Sequence, residues 1–225
     1  MPDYREKRRL NPRFVTLCVI AAVLAAAVIV TLGVKVWSSI APGIPGKNVT
    51  VPDYVSEELL TENPWSRPGT ELERIKGVVI HYVGNPGTTA EANRSYFESL
   101  SAGTEDIYAS AHFIVGLDGE VIQCIPLTEW AYASNARNED TVSIEVCHPD
   151  DTGEFSNVTY DRVVELTAWL CDTFDLKTTD VIRHYDVSGK DCPKYYVEHE
   201  DAWQQFLTDV DEAMAVLQAQ AAQKK

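Results

Sequence analysis

The sequence predicts a single α/β domain with a mixed central β-sheet flanked by helices, preceded by one transmembrane helix. Strand-like apolar runs alternate with helical patterns along the chain, which favours parallel strands joined through helices. One pair of apolar runs instead flanks Asp118-Gly119, a dipeptide typical of a β-hairpin turn, so the sheet should contain an antiparallel pair as well. An uncharged run near the N-terminus is long enough to span a membrane.

The N-terminal region predicts a membrane anchor. Phe14 to Val34 is 21 residues without a charge, which suffices for a hydrocarbon core of about 30 Å. Five basic residues precede it in residues 1–13, whereas only Lys35 follows closely, so residues 1–13 should stay in the cytoplasm and the later chain outside. A cleaved signal peptide is the alternative, but its apolar core usually has about 7 to 15 residues. We therefore expect residues 14–35 to form an uncleaved transmembrane signal anchor.

The next region, residues 36–70, predicts a semi-extended linker. It contains five prolines and three glycines, a composition that suits a spacer better than a packed element. The folded domain is then expected over residues 71–215, an ordinary size for one domain with one core. Residues 216–225 are polar and predict a fraying C-terminal tail.

Charge and cysteine content narrow the choice of partners. After Lys35 the chain has 13 basic and 32 acidic residues, a net charge of −19, which argues against a nucleic-acid partner. Nothing in the composition indicates an oligomeric state. Cys124, Cys147 and Cys171 lie in apolar patterns typical of buried thiols, so no disulfide bridge is predicted.

The first part of the domain predicts a buried strand followed by a helix. Ile75 to Val83 is a nearly continuous apolar run that places His81 close to its end. Thr88 and Glu91 have the spacing of a capping box, and apolar residues then recur at helical spacing as far as Leu100.

The middle of the domain predicts a hairpin and a further strand. The hairpin should pair residues 112–117 with residues 120–125 through a two-residue turn. Residues 142–147 alternate in polarity, which places Glu145 on the polar face of a strand.

The last part predicts a helix, a short strand and a second helix. Residues 160–174 carry an apolar stripe at helical spacing. Residues 181–185 then return as a strand that carries His184 at its end, and a final helix is expected over residues 197–220.

Three residues have the chemistry of a catalytic zinc site. Two histidines and one cysteine, here His81, His184 and Cys192, would bind zinc and leave its fourth position open. Glu145 is the candidate acid–base residue, and Lys190 is the candidate cation for a developing oxyanion. Considered singly, each of the five is more often a structural or surface residue, so the prediction depends on their combination.

Four sequence blocks carry a resemblance to a known family. From about Glu71 to Trp203 the chain resembles the zinc-dependent N-acetylmuramoyl-L-alanine amidases of the type 2 class, which share their fold with peptidoglycan recognition proteins and phage endolysins. The blocks are GVVIHYVGNPGTT, SAHFIVGLDGEVIQCIP, TVSIEVC and RHYDVSGKDCP. Their combination in this order is far more specific than a single metal-ligand pair.

The resemblance implies a reaction and a role for each site residue. His81, His184 and Cys192 match the zinc ligands of the family, Glu145 its catalytic glutamate and Lys190 its catalytic-loop lysine. The family hydrolyses the amide bond between the lactyl group of N-acetylmuramic acid and L-alanine of the peptidoglycan stem peptide. Together with the predicted anchor, the resemblance implies a single-pass protein of a bacterial cell membrane with its catalytic domain outside the cytoplasm.

Two alternatives and two departures qualify this interpretation. The same fold without metal serves as a peptidoglycan-binding recognition module, although such members tend to lack the thiol ligand, and a zinc hydrolase of another bond in the stem is a further alternative. Some members have a catalytic tyrosine where this chain has Ala111, and many have a histidine where it has Tyr132. The neighbouring His112 has two candidate roles, lining the cleft or packing inside the domain, and packing is favoured.

Overall fold

The computed structural model describes residues 43–104 and 106–223, and six strands in them form one mixed sheet. The order across the sheet is β1-β4-β3-β5-β2-β6. Neighbouring strands are parallel except for β3 and β4, which form the antiparallel hairpin. The predicted mixed sheet is therefore confirmed. The strands are β1 Val55–Glu57, β2 Val78–Tyr82, β3 Phe113–Val115, β4 Val121–Gln123, β5 Val142–Val146 and β6 Val181–Arg183.

Helices cover both faces of the sheet, because each face carries its own set of buried apolar residues. One face packs against α2 and α5 through residues such as Ile80 and Ile144. The opposite face, with Ile114 and Ile122, packs against α1. The helices are α1 Ala90–Ser99, α2 Asn157–Phe174, α3 His184–Ser188, α4 Lys194–Glu198 and α5 Glu200–Gln223, with short 3-10 turns at Leu100–Ala102, Asn135–Arg137 and Thr178–Asp180.

The part of the predicted linker that the structure describes is packed against the domain. β1 pairs in parallel with β4, and the side chain of Leu60 is buried. The prolines and glycines of this region separate short apolar stretches, and the edge of the sheet at β4 offers hydrogen bonds to one of them. The folded unit therefore begins at Ile44 rather than at residue 71.

Several local boundaries differ from their predictions for identifiable reasons. Helix α1 begins one residue later than predicted, because the hydroxyl of Thr89 rather than that of Thr88 accepts the Ala92 N–H at 3.2 Å. The hairpin loop is longer than two residues, since the N–H of Gly116 donates to the carbonyl of Glu120 at 2.8 Å. The final helix is interrupted before Glu200 and continues through the predicted tail as far as Gln223.

The predicted cytoplasmic segment and transmembrane anchor, residues 1–13 and 14–35, lie outside the described residues. Across residues 43–104 and 106–223, no helix combines the length and the apolar character that a membrane span requires.

Candidate active site

The candidate site lies where the central strands end. His81 of β2 and Glu145 of β5 are direct partners in the parallel ladder, so both side chains leave the sheet on the same side. The sequence predicted His184 at the end of a strand. In the structure it is instead the first residue of α3, directly after β6. The site thus forms at the carboxyl ends of parallel strands, where α/β sheets commonly bind ligands.

The three predicted zinc ligands converge. One potential ligand atom from each of His81, His184 and Cys192 lies within 4.8 Å of the other two, and all three residues are buried. Nδ1 of His81 is 3.9 Å from Sγ of Cys192, and the ring centroids of His81 and His184 are 4.7 Å apart. Tetrahedral zinc with bonds of about 2.0 to 2.3 Å would hold such atoms roughly 3.5 Å apart.

The hydrogen bonding of the two histidines also fits a metal. Nε2 of His81 lies 3.1 Å from Oγ of Ser134, which leaves Nδ1 directed at the other candidate ligands. Neither ring nitrogen of His184 has a hydrogen-bond partner among the described residues, although both are buried. A buried polar atom without a partner costs free energy, and a metal bond would satisfy one of them.

The protonation states favour ligation. Burial lowers the pKa of His81 well below its ordinary value, and His184 and Lys190 lower it further. Burial, again with Lys190, also lowers the pKa of His184, so both imidazoles are neutral, the form that binds metal. Burial and the nearby Glu145 raise the pKa of the Cys192 thiol to about 12, so a thiolate here needs a bound cation to stabilise it.

Glu145 has one carboxylate oxygen near the candidate ligands and one without a partner. Oε1 is 3.9 Å from Nδ1 of His81, whereas Oε2 is buried and accepts no hydrogen bond from the described residues. Burial raises the pKa of Glu145 to about 8, although Lys190 opposes that change. A carboxylate with a pKa near neutrality is suited to exchanging protons during a reaction.

A cleft of about 340 Å³ opens above these residues. Glu145, His184 and Lys190 line it, so the structure brings the predicted acid–base residue, a predicted ligand and the predicted cation to one space. The remaining lining side chains are mainly aromatic or polar. They are Phe97, Tyr108, Ala109, Ser110, Tyr132, Ala133, Asn135 and Asn138.

Comparison with known proteins decides the family. The model of the Amidase_2 family, described as N-acetylmuramoyl-L-alanine amidase, matches residues 71–195. The chain belongs to this family. The match begins after the first strand of the folded unit, so residues 44–70 belong to the folded unit but precede the part of the chain that the family model matches.

Two curated Bacillus proteins are related to this amidase-family chain. N-acetylmuramoyl-L-alanine amidase CwlL of Bacillus licheniformis is 31% identical over 169 residues, with coverage of 70% of this chain and 46% of the relative. N-acetylmuramoyl-L-alanine amidase BlyA of Bacillus subtilis (strain 168) is 32% identical over 174 residues, covering 68% and 46%. The chain therefore spans about half the length of the curated relatives that it matches.

Solved structures share the fold. A mutant endolysin from Bacillus subtilis superposes with a TM-score of 0.58 at 25% identity, covering 69% of this chain and 97% of the endolysin chain. The solution structure of the PlyG catalytic domain gives a TM-score of 0.60 at 23% identity, with 71% and 94% coverage. The second likeness supports the fold alone.

Two residues that support the candidate ligand His81 were not predicted from the sequence. Ser134 contacts His81, which lies 53 residues earlier in the sequence. The side-chain oxygen of Asn138 accepts hydrogen bonds from the N–H groups of Ala133 and Ser134, at 3.1 and 2.6 Å, and so holds the loop that carries Ser134. No spacing rule connects residues so far apart. The short separation of Ser134 and Asn138, typical of a polar side chain that caps its own loop, was the only local signal.

His112 packs inside the domain, as the favoured interpretation predicted. Nε2 lies 2.9 Å from the carbonyl oxygen of Glu129, and Nδ1 accepts the N–H of Ser143 at 3.0 Å, so the ring proton is on Nε2. His112 does not line the cleft, whereas Tyr132 does. Ala111 is fully buried.

Cys124, Cys147, Cys171 and Cys192 are free and buried within the described residues.

Proposed function

We propose that this protein hydrolyses the amide bond between the lactyl group of N-acetylmuramic acid and L-alanine, and so detaches stem peptides from the glycan of peptidoglycan. Membership of the amidase family supports the reaction class. The observation that carries the proposal is the convergence of His81, His184 and Cys192 beside Glu145, next to a cleft that Glu145 and His184 line. A metal-ligand set alone would fit many hydrolases, whereas this set accompanies the family's sequence blocks.

We propose zinc as the resident metal, held by His81, His184 and Cys192. Two imidazoles and one thiolate are borderline-soft ligands of the kind that zinc favours, and three protein ligands are typical of its catalytic sites. Bound zinc would supply a Lewis acid that polarises the scissile carbonyl group and lowers the pKa of a water molecule.

The side chains of the chain itself supply proton transfer and charge. Glu145, with one buried oxygen free of partners, would accept a proton from the attacking water and deliver it to the leaving amine of L-alanine. Lys190, which lines the same cleft, would stabilise negative charge on the carbonyl oxygen. The hydroxyl of Ser134 fixes the ring of His81 so that Nδ1 remains directed at the site.

We further propose that residues 14–35 anchor the protein in a bacterial membrane with the folded unit outside the cytoplasm. The positive charges in residues 1–13 support this orientation. The net charge of −19 after Lys35 would repel an anionic cell wall, so a tether would help to keep the domain near its substrate.

A recognition module without catalysis is the second candidate function. The neutral imidazoles of His81 and His184 and the buried thiol of Cys192 favour the enzyme, because a site that only binds ligand has no need of three converging metal ligands and an unpartnered carboxylate.

Digestion of purified peptidoglycan separates the two candidates. The full chain, purified in detergent, would be incubated with peptidoglycan in three conditions: untreated, chelated, and chelated with zinc restored. We expect new L-alanine amino termini by mass spectrometry, lost with the chelator and regained with zinc. Binding to peptidoglycan with no new ends in any condition would overturn the amidase proposal.

A further inference from the structure

The segment 65–70 precedes the family match and is hydrogen-bonded to residues of the cleft wall. The carbonyl of Trp65 accepts the N–H of Ala109 at 3.3 Å, and the carbonyl of Thr70 accepts the N–H of Trp130 at 3.0 Å. Ala109 lines the cleft, and Trp130 lies two residues before the lining residue Tyr132. Segment 65–70 is therefore hydrogen-bonded to both stretches of chain that make the wall.

The two stretches of the wall are also joined to each other. The N–H of Ser110 donates to the carbonyl of Tyr132 at 3.1 Å, and the N–H of Tyr132 donates to the hydroxyl of Ser110 at 3.0 Å. Because of these bonds, a displacement of either stretch would move the other. Segment 65–70 is therefore one attachment of this wall, and the bond from the N–H of His112 to the carbonyl of Ser143 ties the same stretch to the sheet.

The indole ring of Trp65 makes a second, more specific contact. Its centroid is 4.9 Å from that of Tyr108, whose ring meets Tyr132 at 5.2 Å in an edge-to-face arrangement. The indole also packs against Gly103, where a Cβ atom would lie only 2.6 Å from Nε1. Trp65 thus fits closely between Gly103 and Tyr108, with little room for either to shift.

Tyr108 is the exposed member of this row of rings. It lines the cleft, yet 51% of its surface remains accessible to solvent. An exposed aromatic side chain at the mouth of a polar cleft is suited to contact a ligand, and fixing its position beforehand lowers the entropy lost on binding.

Arg67 attaches segment 65–70 to the rest of the domain. Its guanidinium forms two hydrogen bonds of 2.8 Å to the carboxylate of Glu129 and a third, of 2.7 Å, to the carbonyl of Leu60. Both charged side chains of the pair are 13% exposed. A bidentate, largely buried ion pair has a fixed geometry, so it gives Trp65 a rigid support.

We propose that Trp65 is a positioning residue that holds Tyr108 at the mouth of the cleft, where Tyr108 contacts the muropeptide substrate. This inference rests on the proposed amidase function. It assigns to residues ahead of the family match a share in substrate affinity, while the chemistry stays with Glu145 and the metal ligands.

Steady-state kinetics of the full chain on a soluble muropeptide tests the inference. For Trp65→Ala and for Tyr108→Ala we expect KM to rise about three- to tenfold with kcat nearly unchanged, the signature of lost binding that is equal in ground and transition states. Trp65→Phe keeps an aromatic ring against Tyr108 and should restore most of the wild-type KM.

A matched control removes the effect of stability. Val55→Ala lies in β1, in the same N-terminal part of the folded unit, and truncates a buried side chain far from the cleft. It should lower the melting temperature without changing KM. A rise of KM in Val55→Ala equal to that in Trp65→Ala, or an unchanged KM in folded Trp65→Ala, would overturn the inference.

Failure of the proposed function gives a different pattern. If the wild-type chain releases no L-alanine amino termini, the amidase proposal fails, and calorimetric binding of the same muropeptide then tests Trp65 separately. Weaker binding by Trp65→Ala than by both wild type and Val55→Ala would still support the positioning role. Equal binding by all three would contradict it.

Discussion

His112 and His184 are both buried histidines of the same domain, and they differ in how their ring nitrogens are satisfied. Both nitrogens of His112 pair with protein groups, one with the carbonyl of Glu129 and one with the N–H of Ser143. Neither nitrogen of His184 pairs with any group in the part of the chain that the structure describes. Burial alone therefore does not distinguish a structural histidine from a functional one.

The same contrast applies to the surroundings of the two residues. The ring nitrogens of His112 contact backbone groups and a serine hydroxyl, and the charge of Glu129 acts on the ring. His184 lies beside His81, Cys192 and the cleft that contains Glu145 and Lys190. A group of unpaired, titratable side chains is costly to bury, so its presence indicates that a ligand completes it.

The largest effect is expected from Glu145→Gln. The amide keeps the shape of the side chain but cannot take a proton, so kcat should fall by about 10² to 10⁴ while zinc content and fold are retained. Hydrolysis rates and metal analysis of the purified variant check this. Glu165→Gln, on the outer surface of α2, is the control, and an unchanged kcat in Glu145→Gln would assign proton transfer to another group.

A smaller effect is expected from Ser134→Ala. Loss of the hydroxyl that fixes the His81 ring should weaken zinc binding by about 10- to 100-fold, as measured by competition with a chelator. Ser143→Ala is the matched control, because the hydroxyl of Ser143 contacts the ring of His112 at 3.1 Å, just as the hydroxyl of Ser134 contacts the ring of His81. Equal zinc affinities in Ser134→Ala and Ser143→Ala would contradict a supporting role for Ser134.

The smallest effect is expected from the titration of His112. Burial lowers its pKa to about 4, below the value of about 6.5 in an unfolded chain. Its contribution to stability is therefore complete above pH 6.5 and is lost as the pH falls from 6.5 through 4. As the pH falls from 7 to 5, the titration of His112 should lower the unfolding free energy of the wild type by about 2 kcal/mol.

His112→Gln cannot titrate and provides the comparison for this pH effect. Urea denaturation at pH 7 and pH 5 should show a loss of stability about 2 kcal/mol larger in the wild type than in His112→Gln. Other groups titrate equally in both proteins and cancel in the difference. The same loss in both proteins would mean that His112 is not held neutral by the fold.

The sequence predicted those parts of the site that depend on local patterns. Strand alternation placed Glu145 and the apolar run placed His81, and these two residues are partners across β5 and β2. The sequence placed His184 in a strand, whereas it begins helix α3. The helix begins there because the side chain of Asp186 accepts the N–H of Arg183 at 2.8 Å. The candidate ligand role of His184 was predicted from its residue type and from its pairing with Cys192, and the resemblance implies the same role.

The parts that could not be predicted depend on contacts between distant residues. The contacts of Ser134 with His81 and of Trp65 with Tyr108 join segments that no periodicity relates. Residues 44–70 were interpreted as a spacer because proline and glycine content describes the local backbone, whereas the packing of β1 depends on β4, more than sixty residues away.

Metal content tests the central claim, that His81, His184 and Cys192 form one zinc site. The full chain would be loaded with zinc and dialysed, and the zinc bound per protein would be measured by elemental mass spectrometry. Cys192→Ser would be treated in the same way. Cys171→Ser is the control, because Cys171 is a buried cysteine of α2. We predict one equivalent of zinc in the wild type and in Cys171→Ser, and none in Cys192→Ser. A full equivalent in Cys192→Ser, or none in the wild type, would contradict the account.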